Sequence, residues 1–161
     1  NCKREEIEEY CEKNKLEPRI DYTNKETIYK RNKIRNELIP YLKELNPNII
    51  KNLSRLSKII EEENEYINKV VEKTYKEVAE KSLGNIAIDL KKFNELDVTI
   101  KEKLIIYAIE KLLGSARNIE KINIDDIIKI CMRNVGNKYI IPNKNLKILI
   151  KNKKIIFMAL S

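Results

Sequence analysis

Residues 46–84 read NPNIIKNLSRLSKIIEEENEYINKVVEKTYKEVAEKSLG, and the period of this stretch decides the fold. Ile49, Leu53, Leu56, Ile60, Ile67 and Val70 recur at intervals of three, four or seven. Ile50, Ile59, Val71, Tyr75 and Val78 widen the stripe. That is the pattern of one amphipathic helix. Pro47 suits its first position, because a missing N–H costs nothing there. Nothing breaks the run until Ser82 and Gly84, so the expected length is about 50 Å at ~1.5 Å per residue. A helix so long needs partners to cover its stripe. The apolar side is broad and Glu63 interrupts it, which favours packing inside a bundle over a two-stranded coiled coil.

The flanking segments supply such partners. Upstream, KREEIEEYCEKNKL places Ile7, Tyr10, Cys11 and Leu16 opposite glutamates, as a short amphipathic helix does. Pro18 breaks it. Thr23 and Glu26 have the spacing of a capping box. A helix is expected from Tyr29 to Ile39, with Pro40 kinking or restarting it. Downstream, GNIAIDL alternates like a short strand, and Asp89 is placed to cap LKKFNEL. Thr99 and Glu102 form a second capping box ahead of KLIIYAIEKLL, a helix apolar nearly all round, which Gly114 ends. Asn123 is expected to cap IDDIIKICMRN. After Gly136 the period changes to two. KYIIP, LKILI and KIIFM read as strands, with turns at 143–144 and 151–153. The fold class is therefore mainly α: a helical bundle with one long helix and a small C-terminal antiparallel β meander.

Composition bounds the chemistry. The 161 residues are 42% hydrophobic and 36% charged, enough for an ordinary core. There is no histidine, so His-dependent nucleophile pairs and imidazole bases are excluded from this chain. Cys2, Cys11 and Cys131 lack metal-ligand spacing and read as reduced thiols of a cytoplasmic protein. No metal site is expected, and no apolar run has spanning length. Residue 1 is Asn, and the chain is expected to be part of a longer protein. The net charge is +8, and its placement matters more than its size. Residues 136–161 hold six lysines and no carboxylate, whereas the rest is nearly balanced. A one-signed surface suits a polyphosphate partner; a merely solvated lysine-rich hairpin is the plain alternative.

KRNKIR, residues 30–35, raises a separate question. Arg31 and Arg35 stand four apart, on one helical face, and that face continues to Leu38 and Leu42. Two guanidiniums on a half-buried stripe are costly unless paired. Asp21 is a plausible partner for one of them.

The stretch from Asp21 to Pro47 also carries a family resemblance. DYTN, followed by YKRNKIRNELIPYLKELNP, resembles tRNA(Ile)-lysidine synthase, a tRNA-modifying ligase of the PP-loop ATPase group. That family has D-x-S-N, then R-N-x-I-R, an L-P-x-L segment and an N-P break. The matching residues are Asp21, Asn24, Arg31, Asn32, Ile34, Arg35, Pro40, Leu42, Asn46 and Pro47. REEIEEYC, EKLIIYAIEKLLG and GNKYIIPNKNLKI extend the resemblance nearly end to end. Thr23 replaces the usual Ser, and Asn36 stands where His is common. The family's S-G-G-x-D-S ATP-binding loop does not occur in these 161 residues.

The resemblance implies that residues 1–46 are the C-terminal end of a PP-loop catalytic domain. Residues 47–161 would be a helical, tRNA-contacting domain with the terminal meander. The full enzyme would use ATP and Mg²⁺ to adenylate the wobble cytidine of an isoleucine tRNA, and lysine would then displace AMP. This chain alone would be inactive, binding no cofactor, supplying tRNA contacts and part of the active-site wall; a homodimer is possible. Asp21, Asn24, Arg31, Asn32 and Arg35 are the active-site and tRNA-contact candidates. Either Arg31 or Arg35 faces the cleft, or the set pins its own loop by bidentate hydrogen bonds. Lys30, Lys33, Lys138, Lys144, Lys147, Lys151, Lys153 and Lys154 are candidates for RNA-backbone contacts, and Tyr29, Tyr41 and Tyr139 for stacking. The rival reading is a non-catalytic helical module that binds another protein.

Overall fold

In the computed structural model the described residues are 4–16, 29–82, 84–133 and 137–160. The chain divides into two compact units, residues 1–58 and 59–161, and the division falls within the long helix. In the first unit, α1 spans Arg4–Lys13. A second helical run comprises α2 (Lys30–Lys33), a π-helical turn (Ile34–Leu38) and α3 (Ile39–Leu45). The long helix α4 follows, Ile49–Val78. Asn46 introduces it by accepting the Asn48 N–H at 2.9 Å. The segment holding Thr23 and Glu26 lies outside the described residues.

The second unit is built on one five-stranded antiparallel sheet. Its strands are β1 (Ala79–Ser82), β2 (Asn85–Asp89), β3 (Lys138–Asn143), β4 (Leu146–Lys151) and β5 (Lys154–Ala159). They lie in the order β1-β2-β5-β4-β3. The expected meander is thus present, and the expected strand at GNIAIDL joins it through β5, with Ile86 opposite Phe157 and Ile88 opposite Ile155. β1 corrects the reading of the long helix, which stops at Val78 rather than Ser82. Ala79–Ser82 has no period-two pattern of its own. Its backbone pairs with β2 instead, and a four-residue edge strand bearing Glu80 and Lys81 resists further pairing.

Period-two alternation does the sorting in this sheet. Ile86, Ile88, Leu146, Ile148, Ile150, Ile155 and Phe157 are all buried on one face. Three helices cover them: α5 (Leu90–Glu95), α6 (Val98–Leu113) and α7 (Lys121–Met132). α6 is the central one, with Leu104, Ile105, Ala108 and Ile109 fully buried. It packs on β2, β5 and α7, which is why its sequence is apolar nearly all round. The end of α4 joins this core through Val71, Tyr75 and Val78. The Tyr75 ring meets Tyr107 of α6 edge-on, 5.1 Å between centroids, a favoured aromatic geometry. Farther back on α4 the stripe is open: Leu53 is 50% and Leu56 52% exposed.

Local chemistry sets the ends of these elements. Asp89 caps α5 as expected, accepting the Lys92 N–H at 2.8 Å. Gly114 ends α6 in the left-handed conformation at φ +77°, where a side chain is strained. Two expected caps shift. α6 begins at Val98 after Asp97, so Thr99 lies inside the first turn. α7 is capped by Glu120, and Asn123 works from the third helical position, accepting the Glu120 N–H at 2.9 Å. In both cases the helix gains residues upstream of the motif. The β4–β5 turn has φ of +52° at Asn152 and +58° at Lys153, as in a type I′ hairpin. Pro142 lies on the edge strand β3, where pairing with β4 slips between Ile140 and Asn143, because proline has no N–H for the ladder.

Cys131 is buried against this core. Burial, more than any neighbour, pushes its thiol up to about 12. The unfolded chain therefore releases this proton near pH 9 while the folded chain holds it. The stability associated with the group is complete below pH 9 and falls as pH climbs from 9 towards 12. Urea titrations across that range should show the decline, and Cys131→Ala should make it shallower, leaving the part due to Tyr75, whose hydroxyl is also pushed up by burial. Phe157→Ala should cost about 3–5 kcal/mol of unfolding free energy, while Lys151→Ala, on the opposite face, should stay within roughly 0.5 kcal/mol. Equal costs for the two would contradict the assigned sheet register.

Candidate nucleic-acid interface

The basic hexamer begins a helix whose geometry Pro40 distorts. Proline in a helix removes one N–H and crowds the carbonyl four residues back. Here the preceding turn is widened: the Ile39 N–H bonds to the Ile34 carbonyl, five residues back. The π-helical turn absorbs the proline, and α3 restarts with Pro40 in its first turn. Such turns occur often at functional sites.

Around this turn the cations separate into two sets. Arg31 and Arg35 are exposed and stand one turn apart. Neither is half-buried, so the cost anticipated for a buried cation pair does not arise. Leu38 and Leu42 are not core residues either: Leu38 is 47% exposed and Leu42 is half-buried. Leu38 lines an open groove of about 480 Å³ with Lys30, Lys33, Ile34, Glu37 and Tyr41. Asn32 is the buried member of α2, only 8% exposed, and it is engaged within the fold. Asp21 and Asn24 lie outside the described residues. Tyr29 and Tyr41 are both exposed.

Strand register places Lys138, Lys151, Lys153 and Lys154 at the β4–β5 turn end of the sheet, and Lys144 and Lys147 towards the β3–β4 turn. Lys147 and Lys151 lie on the sheet face opposite the core, where alternation along β4 puts them. The Lys147 ammonium sits 4.6 Å from the centroid of the Tyr139 ring, a cation–π contact on an exposed aromatic. Lys138 opens β3. Lys144 lies in the β3–β4 turn and Lys153 in the β4–β5 turn, at opposite ends of β4. Lys154 differs from the others, because Glu80 of β1 binds its ammonium at 2.5 Å. Among the described residues the other five have no carboxylate within ion-pair distance.

One polar pocket gives no signal in the sequence. The α6–α7 connection and the β3–β4 turn together line an opening of about 530 Å³. It brings Arg117 to Lys144, residues far apart in the chain. A single arginine in a loop looks like ordinary surface until the topology supplies its neighbour.

Comparison with known proteins agrees with the motifs. A profile of the PP-loop domain matches residues 1–42. The tRNA(Ile)-lysidine synthase of Clostridioides difficile is 38% identical over 158 residues, covering 97% of this chain and 34% of that protein. That of Clostridium acetobutylicum is 40% identical over 143 residues, covering 88% and 31%. That of Caldanaerobacter subterraneus subsp. tengcongensis is 31% identical over 140 residues, covering 86% and 30%. The chain spans about a third of the length of these relatives.

Chromatography on heparin, a polyanion, reads the lysine geometry directly. Lys147→Gln and Lys151→Gln should each elute at lower salt than the parent chain. The double variant Glu80→Gln/Lys154→Gln, which removes a neutral pair whole, should elute nearly with the parent. Glu80→Gln alone, which frees Lys154, should elute later. A double variant that shifts as far as Lys147→Gln would contradict the pairing of Lys154 with Glu80.

Proposed function

We propose that this chain is part of a tRNA(Ile)-lysidine synthase, and that it supplies tRNA contacts and one wall of the active site. The observation that carries this reading is the 38% identity over 158 residues with the enzyme of that name. In the proposed activity, ATP adenylates the wobble cytidine of an isoleucine tRNA, and the amine of lysine displaces AMP. Residues 1–46 close the PP-loop catalytic domain in this proposal, and residues 47–161 form the tRNA-contacting domain.

ATP and Mg²⁺ belong to the proposal for the whole enzyme. The described residues offer no cluster of three potential metal ligands, and the chain has no glycine-rich phosphate loop. The part of these residues is binding and orientation. Arg31 and Arg35 present fork-shaped donors that match phosphate oxygens two at a time. Exposed and one turn apart, they suit the cytidine adenylate or an adjacent backbone phosphate. Asn32, locked within the fold between them, would set the direction of both. The lysines of the sheet would follow the RNA backbone, which positions tRNA without reading its sequence. No described helix is long and apolar enough to cross a membrane.

The test uses the enzyme at the length of its relatives. Arg35→Ala should cut lysidine formation by about tenfold or more, the value of ~1.4 kcal/mol in transition-state binding. Its melting temperature should not move, because an exposed side chain with no ion pair among the described residues leaves little packing behind. Loss of activity and stability together would favour a scaffold role for the arginines. Unchanged activity would remove them from the site.

A further inference from the structure

The pocket between the α6–α7 connection and the β3–β4 turn has the chemistry of an anion site. Leu113, Gly114, Ser115, Arg117 and Asn118 line one side of it, and Asn143, Lys144 and Asn145 the other. No carboxylate is among them. Two side-chain acceptors of the wall already receive hydrogen bonds: the Asn145 N–H donates to Asn143 Oδ1 at 2.9 Å, and the Arg117 N–H donates to Ser115 Oγ at 3.2 Å. Against the amide oxygens of Asn118 and Asn145 the wall sets two cationic donors, the Arg117 guanidinium and the Lys144 ammonium, with the Asn143 amide nitrogen and the Ser115 hydroxyl beside them. Neither cation has a carboxylate partner among the described residues. The end of α6 contributes about half a negative charge at Gly114, which two full positive charges outweigh.

From this donor surplus we infer that the pocket holds a backbone phosphate of RNA, with Arg117 and Lys144 gripping it from two loops. The inference rests on the proposed role in tRNA binding and adds to it a specific site and a residue, Arg117. An opening of about 530 Å³ exceeds what a phosphate alone needs and admits the attached ribose. The asparagine amides can then bond to the sugar 2′-hydroxyl. Contacts of this kind fix the register of the RNA and carry no sequence preference.

The experiment measures binding of an isoleucine tRNA transcript to the chain over a range of salt concentrations. The logarithm of affinity falls with the logarithm of salt in proportion to the number of phosphates contacted. Arg117→Ala and Lys144→Ala should each make that slope shallower by about one, with unfolding temperatures unchanged. Arg117→Lys, which keeps the charge, should restore the slope. If the parent chain binds with a steep slope and neither alanine variant alters it, the pocket is overturned while the wider tRNA reading stands. If the parent chain does not bind tRNA, both fall. Inorganic phosphate bound through Arg117, with the tRNA slope unchanged in Arg117→Ala, would assign the pocket to a free anion and overturn its role with RNA.

Discussion

The second unit depends on one contact: the apolar face of its sheet against α6. Seven strand residues, from Ile86 to Phe157, present aliphatic and aromatic side chains on a single side. α6 answers with Leu104, Ile105, Ala108 and Ile109, none of them exposed. Burying side chains of this size contributes roughly 1.5–3 kcal/mol each, far more than the exposed ion pairs can. Lys121, for example, bonds Glu102 at 2.6 Å and Asp125 at 2.8 Å, yet all three side chains are reached by water, where such pairs add little. Because β2, β4 and β5 alternate strictly, committing one face to the core commits the other to solvent. The lysines and Tyr139 on that outer side are a consequence of the same register.

This arrangement also shows what buried polar groups do here. Lys101 is 8% exposed, and its ammonium donates to the Asn94 carbonyl at 2.9 Å. The Asn94 amide donates in turn to the Cys131 carbonyl at 3.1 Å. The chain of donors ties α6, α5 and α7 together and satisfies carbonyls at helix ends. It is structural, and it leaves the cationic chemistry to residues that water and a partner can reach.

Much of this was legible in the residues, for identifiable reasons. Strong periods survive any context, so α4, α6, β2 and the meander follow from spacing alone. Asp89 and Gly114 mark boundaries by local chemistry and needed nothing else. The edge strand β1 did not follow, because Ala79–Ser82 takes its conformation from the backbone of β2. The starts of α6 and α7 moved upstream of their motifs, since Asp97 and Glu120 could take the capping position first. The exposure of Arg31 and Arg35 did not follow, because the stripe they share with Leu38 looks like a core face in the sequence while Leu38 is itself 47% exposed. Arg117 was missed altogether, because only the fold brings the loop after Gly114 beside the turn at Lys144.

The measurement that tests the account most directly is transfer of labelled lysine to an isoleucine tRNA. The protein would be taken at the length of its relatives and supplied with ATP. The account predicts ATP-dependent label at the wobble cytidine, located by mass spectrometry of the digested tRNA, and none when that cytidine is replaced. Tight tRNA binding with no lysine transferred, or transfer to another nucleotide, would contradict it.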